Sequence, residues 1–154
     1  MNCLSEALGI ALPGNGTIPA MDPERLKLAK LSGQKIMELV RADIKPRSIL
    51  TIEALENAIA VDMALGCSTN TALHLPAIAF AAGLNIDLNL FNRVSERIPQ
   101  LCHMSPSGDH RIEDLYKAGG VMAVMNELSK MDLINGKCLT VTGNSIEKLS
   151  LIHI

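Results

Sequence analysis

Apolar residues recur at helical spacing along most of this chain, and glycine or proline interrupts the pattern at intervals. Apolar residues three or four positions apart share one helix face, so each uninterrupted segment predicts an amphipathic helix. Glycine and proline end these segments because both disfavour the interior of a helix. The predicted helices cover residues 2–11, 23–42, 51–65, 68–82, 87–97 and 113–128, the last with a break at Gly119-Gly120.

The composition favours packed helices over sheets. Hydrophobic residues make up 48% of the 154-residue chain, but aromatic residues make up only 2%. A core must therefore come from Leu, Ile, Ala, Val and Met, whereas a β-sandwich uses more aromatic and β-branched side chains. Short strands are predicted at residues 101–104 and 137–141. The composition and spacing thus predict a mainly helical chain. Because no linker divides it, we expect one structural unit.

Charge and hydropathy argue against nucleic acid and membrane partners. The formal net charge is −2, and one Tyr and two Phe offer no stacking platform for bases. No apolar run reaches the roughly 18 residues of a membrane span, and the N-terminus lacks the pattern of a signal peptide. The four cysteines lie far apart. This spacing favours buried free thiols in a cytoplasmic protein over a metal site.

Polar residues mark where several predicted helices begin. Asp22 followed by Pro23, Thr51, and Asp87 each precede an apolar segment and suit the cap position. The helix over residues 23–42 is the longest, and its apolar side is predicted to face the core. That side consists of Leu28, Leu31, Ile36, Leu39 and Val40.

The segment Gly66-Cys67-Ser68-Thr69-Asn70-Thr71 is the leading candidate for a functional site. In one interpretation, Ser68 or Thr69 caps the following helix and the other residues fill a tight corner. In the other, the amides of the helix start and a nearby hydroxyl hold a substrate carboxylate, a charge that suits this end of a helix. His74 lies one turn later and is expected to be a core histidine.

Other polar groups are weaker candidates. Gly14-Asn15-Gly16-Thr17 is interpreted as a turn with one left-handed residue, because a phosphate loop would need a lysine and a preceding strand. Two further groups have the wrong spacing for a metal site. These groups are Glu53 with Glu56 and Asp62, and His103 with Asp109 and His110.

A series of short segments carries a resemblance to a known family. These segments are Met1–Thr17, Glu56–Ala58, Gly66–Leu75, Pro99–Cys102, Ile112–Leu115 with Ala118–Gly120, and Leu139–Gly143. In order and spacing they resemble the dihydroxy-acid and 6-phosphogluconate dehydratase family. Residues 12–17 favour its branch that acts on branched-chain precursors. Cys67 departs from the family, which more usually has glycine there.

The resemblance implies a hydro-lyase that converts 2,3-dihydroxy-3-methyl carboxylic acids to 2-keto acids in valine, isoleucine and leucine biosynthesis. It also implies an iron–sulfur cluster and Mg²⁺ as cofactors, a small dihydroxy acid as substrate, and a homodimer. The family's cluster cysteines, magnesium ligands and catalytic serine match no position of this chain, so Cys3 is not an expected ligand. The loop containing Gly66, Ser68, Thr69 and Asn70 is expected to lie near the substrate cavity.

Residues 149–154 depart from the family and are interpreted as a non-native tail. We therefore expect residues 1–148 to be part of the N-terminal α/β domain of a longer dehydratase, inactive alone. Two alternatives stay open: a sugar-acid or 6-phosphogluconate dehydratase of the same family, and a non-catalytic helical interaction module. A piece of a larger domain is also expected to expose apolar faces and to self-associate.

Overall fold

Helices dominate the structure, a computed structural model that describes the backbone of residues 1–152 and the side chains of residues 1–150. The prediction of a mainly helical chain is confirmed, while its place within an α/β domain stays a prediction. The described residues form α1 (Asn2–Ala7), α2 (Glu24–Arg41), α3 (Pro46–Ile49), α4 (Ile52–Leu65), α5 (Thr71–Ala82), α6 (Leu88–Ser95), α7 (Ile112–Lys117), α8 (Gly120–Lys130) and α9 (Ile146–Ile152).

The buried helix α4 forms the centre of the core. Thr51 begins it as predicted, since its Oγ1 accepts the Ala54 N–H over 3.2 Å. Gly66 ends it in the left-handed conformation with a φ of 65°. The helix packs against α1, α5, α6 and α8. Its residues are apolar on nearly every side, as expected for a helix enclosed by others.

The second core helix, α8, packs against α1, α7 and α9. It begins at Gly120, whose φ is 67°, so the predicted break at Gly119-Gly120 is confirmed. A Cβ on Gly120 would lie 2.8 Å from Oγ1 of Thr17. Glycine is therefore needed both for the backbone conformation and for the close approach of the two segments.

Most helix ends follow the sequence, but the end of α1 does not. Asp87 caps α6 as predicted, because its Oδ1 accepts the Leu90 N–H over 3.0 Å. α1 was expected to reach residue 11 and instead ends at Ala7. Gly9 turns the chain there with a φ of 81°, and a Cβ on it would lie 2.9 Å from the carbonyl oxygen of Leu139. A distant segment thus determines where α1 ends.

The prediction that the apolar side of α2 faces the core is wrong. Leu39 is the only one of the five predicted residues that is buried. Near the other end of the helix, the Arg25 guanidinium donates hydrogen bonds to the carbonyl oxygens of Asn15, at 2.8 Å, and of Ile18. Of the other four predicted residues, Leu28 is half-buried and three are exposed. Together with Leu26 and Met37 these three form an exposed set that we call the outer side of α2: Leu26, Leu31, Ile36, Met37 and Val40.

The two predicted strands are also wrong. Each segment contributes one isolated bridge, Met104 with His110 and Leu139 with Ser145, so the chain turns back before a ladder can extend. The sequence did not predict α3 or α9, and α9 continues past residue 149, where the tail was expected to begin. Residues 153–154 of that tail lie outside the described residues. Within residues 1–152, no helix is long and apolar enough to cross a membrane.

Candidate functional site

The loop of residues 66–70 joins the end of α4 to the start of α5, and all five residues are exposed. It is a tight link: the Thr71 N–H donates to the Ser68 carbonyl over 3.1 Å, and the Ala72 N–H to the Thr69 carbonyl over 3.1 Å. The Ser68 hydroxyl accepts the Asn70 N–H over 3.3 Å, a contact within the loop and not a cap of α5, so the prediction that Ser68 or Thr69 caps this helix is wrong. The helix boundary itself falls at Asn70, which makes no side-chain cap.

A buried carboxyl group lies directly beneath this loop. Asp62 in α4 is 6% exposed, and its Oδ2 lies 2.7 Å from the hydroxyl oxygen of Thr71, which is 2% exposed. The Asp62 Oδ1 is buried without a hydrogen-bond partner in the described part of the chain. Burial raises the pKa of Asp62, and the hydrogen bond with Thr71 acts against that increase.

Cys67 lies within the loop and next to the same carboxyl group. Although the residue is exposed, desolvation of its sulfur, and then the charge of Asp62, raise the pKa of the thiol to about 12. The thiolate is the reactive form of cysteine, so Cys67 stays protonated at neutral pH and is a poor nucleophile.

A second buried acid organises the turn before Thr17. Glu6 is 2% exposed, and its two carboxyl oxygens accept the N–H groups of Gly14, at 3.0 Å, and Gly16, at 2.9 Å. These amides are therefore not free to hold a phosphate. Gly14 has a φ of 87°, so the interpretation as a turn with a left-handed residue is confirmed. Burial raises the pKa of Glu6, against the effect of both hydrogen bonds.

A cavity of about 270 Å³ lies between this turn and the start of α8. Its wall includes Glu6, Thr17, Tyr116 and Gly120. The Thr17 hydroxyl oxygen is buried and has no hydrogen-bond partner among the described residues. The cavity therefore offers a free hydroxyl group beside a buried carboxyl group, a polar lining suited to a small hydrogen-bonding molecule.

A larger cavity, of about 470 Å³, lies at the other end of α4. Glu53, Asn57 and Arg97 line it, together with the segment after α8. The Asn57 amide holds that segment in place: its Nδ2 donates to the carbonyl of Asn135 over 2.9 Å, and its Oδ1 accepts the Asn135 N–H over 2.7 Å. Neither cavity is lined by the loop of residues 66–70.

Two expectations for single residues need correction. His74 is exposed instead of buried in the core, because α5 lies at the edge of the bundle and packs mainly against α4. Among the cysteines only Cys138 is buried, whereas Cys67 is exposed and Cys3 and Cys102 are half-buried; all four are free thiols. No group of three His, Cys, Asp or Glu side chains within the described residues is arranged to hold a metal ion.

The sequence did not single out Glu6, and it considered Asp62 only within a group whose spacing is wrong for a metal site. Asp62 lies on a helix that is apolar on nearly every side, so a carboxylate there was an available signal. Glu6 lies two positions from both Leu4 and Leu8, off the predicted apolar face of α1, and offered no such signal. Buried acids are uncommon unless hydrogen-bonded, and each of these has a partner eight to ten residues further along the chain. The helix pattern could therefore have identified Asp62, but not Glu6 and not the partners of either acid.

Comparison with known proteins gives consistent matches along nearly the whole chain. Residues 1–149 match a family model described as the N-terminal region of dihydroxy-acid/6-phosphogluconate dehydratases. A dihydroxy-acid dehydratase of Carboxydothermus hydrogenoformans is 64% identical over 146 residues, which cover 95% of this chain and 26% of the relative.

Further relatives carry the same name. A dihydroxy-acid dehydratase of Caldicellulosiruptor bescii is 63% identical over 95% of this chain and 26% of its own length. Another, from Syntrophobacter fumaroxidans, is 62% identical over 96% of this chain and 27% of its own length. The chain thus spans about a quarter of the length of these relatives.

Proposed function

Because this chain belongs to the dihydroxy-acid/6-phosphogluconate dehydratase family, we propose that it is part of a hydro-lyase acting on 2,3-dihydroxy-3-methyl carboxylic acids. Loss of water from such an acid breaks the C2–H and C3–O bonds, and the resulting enol becomes a 2-keto acid. These products belong to valine, isoleucine and leucine biosynthesis. The 64% identity with a dihydroxy-acid dehydratase across 95% of the chain carries this proposal.

The contribution of this chain is a helical scaffold and one loop that meets the substrate. The loop presents the side chains of Ser68, Thr69 and Asn70 to solvent on a short, hydrogen-bonded link. Hydroxyl and amide groups at the start of a helix suit a carboxylate-bearing substrate. Gly66, in its left-handed conformation, turns the chain so that these residues follow directly after the buried helix α4.

The iron–sulfur cluster and Mg²⁺ implied by the family do not fit the described residues. Cluster ligation requires thiolates, and burial raises the pKa of Cys3, Cys67, Cys102 and Cys138. No set of three acidic, cysteine or histidine side chains in the described part forms an alternative site. We propose that the ligands of both groups belong to the rest of a longer protein, and that this chain alone is inactive.

A chimera tests the proposal. Residues 1–148 replace the matching segment of the Carboxydothermus hydrogenoformans dehydratase, and 2-keto acid formation from 2,3-dihydroxy-3-methylbutanoate is measured. The expected result is activity within about tenfold of that of the unmodified relative, since most residues of the exchanged segment are the same in both proteins. The isolated chain, assayed under the same anaerobic conditions, is expected to form no product.

The control is the unmodified relative, purified in parallel and compared by circular dichroism. A folded chimera without activity would refute the proposal, as would turnover by the isolated chain. Activity on a sugar acid or on 6-phosphogluconate, with none on the dihydroxy acid, would favour the other branch of the family. The relatives' shared name supports the dihydroxy acid.

The exposed outer side of α2 is the observation that favours the alternative of a helical interaction module. We also propose that the longer protein is a homodimer whose small-molecule partner is the dihydroxy acid. We propose neither nucleic acid nor a membrane as a partner. We further propose a cytoplasmic location, since four free thiols are typical of a reducing compartment.

A further inference from the structure

The hydroxyl group of Thr71 contacts two oxygen atoms at hydrogen-bonding distance. The Asp62 Oδ2 lies 2.7 Å from the Thr71 Oγ1, and the carbonyl oxygen of Ser68 lies 2.9 Å from it. A threonine hydroxyl has one proton to donate, and a peptide carbonyl can only accept. If Asp62 were ionised, both neighbours would be acceptors and one of these short contacts would have no proton.

We propose that Asp62 is a neutral carboxylic acid in the folded protein and positions the loop of residues 66–70 through Thr71. Asp62 then donates its proton to the Thr71 hydroxyl, and Thr71 donates to the Ser68 carbonyl. Every short contact in this chain of three groups has one donor and one acceptor. Because the Thr71 N–H also donates to the Ser68 carbonyl over 3.1 Å, the proton on Asp62 completes the connection between α4 and the loop.

The surroundings of Asp62 favour its neutral form. The carboxyl group is buried, and its second oxygen has no hydrogen-bond partner in the described part, an arrangement that costs more for a charged group than for a neutral one. From the neighbouring elements, the groups that influence its titration are the Thr71 hydroxyl of α5, the Cys67 thiol of the loop and the Met1 amino group before α1. Burial outweighs these three and raises the pKa of Asp62.

Two substitutions at Asp62 separate the neutral from the charged form. In Asp62→Asn, the amide Nδ2 can donate to the Thr71 hydroxyl as the neutral acid does, whereas Asp62→Ala removes the donor. An acid whose pKa is raised by folding stabilises the protein fully below its unfolded pKa and loses that stabilisation as pH rises through the folded pKa. The urea midpoint of the wild-type chain should therefore fall, relative to that of Asp62→Asn, as pH rises above the ordinary pKa of an aspartate side chain.

The expected result is that Asp62→Asn matches the wild type at low pH and exceeds it at higher pH, while Asp62→Ala has a lower midpoint throughout. Asp109→Asn is the matched control, because it makes the same chemical change at an exposed position outside α4 and the loop. The proposal is overturned if Asp62→Asn is as destabilised as Asp62→Ala. It is equally overturned if the difference between the Asn variant and the wild type is independent of pH.

The positioning role toward substrate rests on the proposed function and is measured in the chimera. Asp62→Ala should raise KM more than it lowers kcat, and Asp62→Asn should restore KM. An unchanged KM in the Ala variant would refute the positioning role. The unfolding measurements use the 154-residue chain without substrate, so they decide the protonation of Asp62 even if the chimera shows that the proposed function is wrong.

Discussion

Replacing Glu6 by glutamine should destabilise the chain, although the change is nearly isosteric. Both carboxyl oxygens of Glu6 accept backbone N–H groups, from Gly14 and Gly16. Glutamine retains one acceptor oxygen but places an NH₂ group where the other oxygen was. That NH₂ group would face a buried backbone N–H, so two donors would meet and one hydrogen bond would be lost.

The size of the effect follows from the lost bond and the relief of a buried charge. A hydrogen bond to a charged group contributes about 1.5–3 kcal/mol, and an unsatisfied buried donor costs about 1–3 kcal/mol. Burial raises the pKa of Glu6 because the charged carboxylate is costly to desolvate. The neutral amide of glutamine avoids that cost, which offsets part of the loss. The expected net destabilisation is therefore on the order of 2–3 kcal/mol, a shift in Tm of roughly 4–12 °C for a domain of this size.

Urea and thermal denaturation followed by circular dichroism at pH 7 measure this difference. Glu113→Gln is the control: Glu113 is exposed, and its substitution should change stability by less than about 0.5 kcal/mol. If Glu6→Gln were as stable as the wild type, the carboxylate would not be holding both amides of the turn. Glu6 would then resemble Asp62, where the amide should be tolerated.

Two further predictions concern α2 and the glycines. Val40→Lys, on the outer side of α2, should reduce self-association in sedimentation velocity and leave the unfolding free energy within about 0.5 kcal/mol; Leu39→Lys, at the buried position, should lower that free energy by several kcal/mol. Gly16→Ala should destabilise the chain by roughly 1–3 kcal/mol in urea denaturation, since the new Cβ would lie 2.7 Å from the Cα of Cys3. Gly33 lies in an exposed helix with open space around it, so Gly33→Ala should stabilise the chain by up to about 1 kcal/mol in the same assay.

The sequence predicts those parts of the fold that depend on nearby residues. Thr51 and Asp87 cap their helices because the cap is a contact across three positions, which the local sequence contains. Gly66 and Gly83 end helices for an equally local reason, the left-handed conformation that glycine adopts without strain. The loop between α4 and α5 is therefore found where its composition indicates.

Features that depend on distant segments could not be read in the same way. Gly9 ends α1 because residue 139 packs against it, and nothing within the first helical segment indicates that neighbour. The periodicity of α2 shows which residues share a side, but not whether another element covers that side. Likewise, the partners of Asp62 and Glu6 come from the folding of helices against loops, so the sequence does not show which donors and acceptors these acids meet.

The helix α4 contributes residues to two separate regions of the molecule. Its first turns line the larger cavity through Glu53 and Asn57, and its last turn carries Asp62 beneath the loop. At about 1.5 Å per residue, Glu53 and Asp62 are about 14 Å apart along one buried helix. Packed protein interiors have low compressibility, so a buried helix of this kind keeps its length. The distance between the cavity and the loop is therefore set by the length of this one helix.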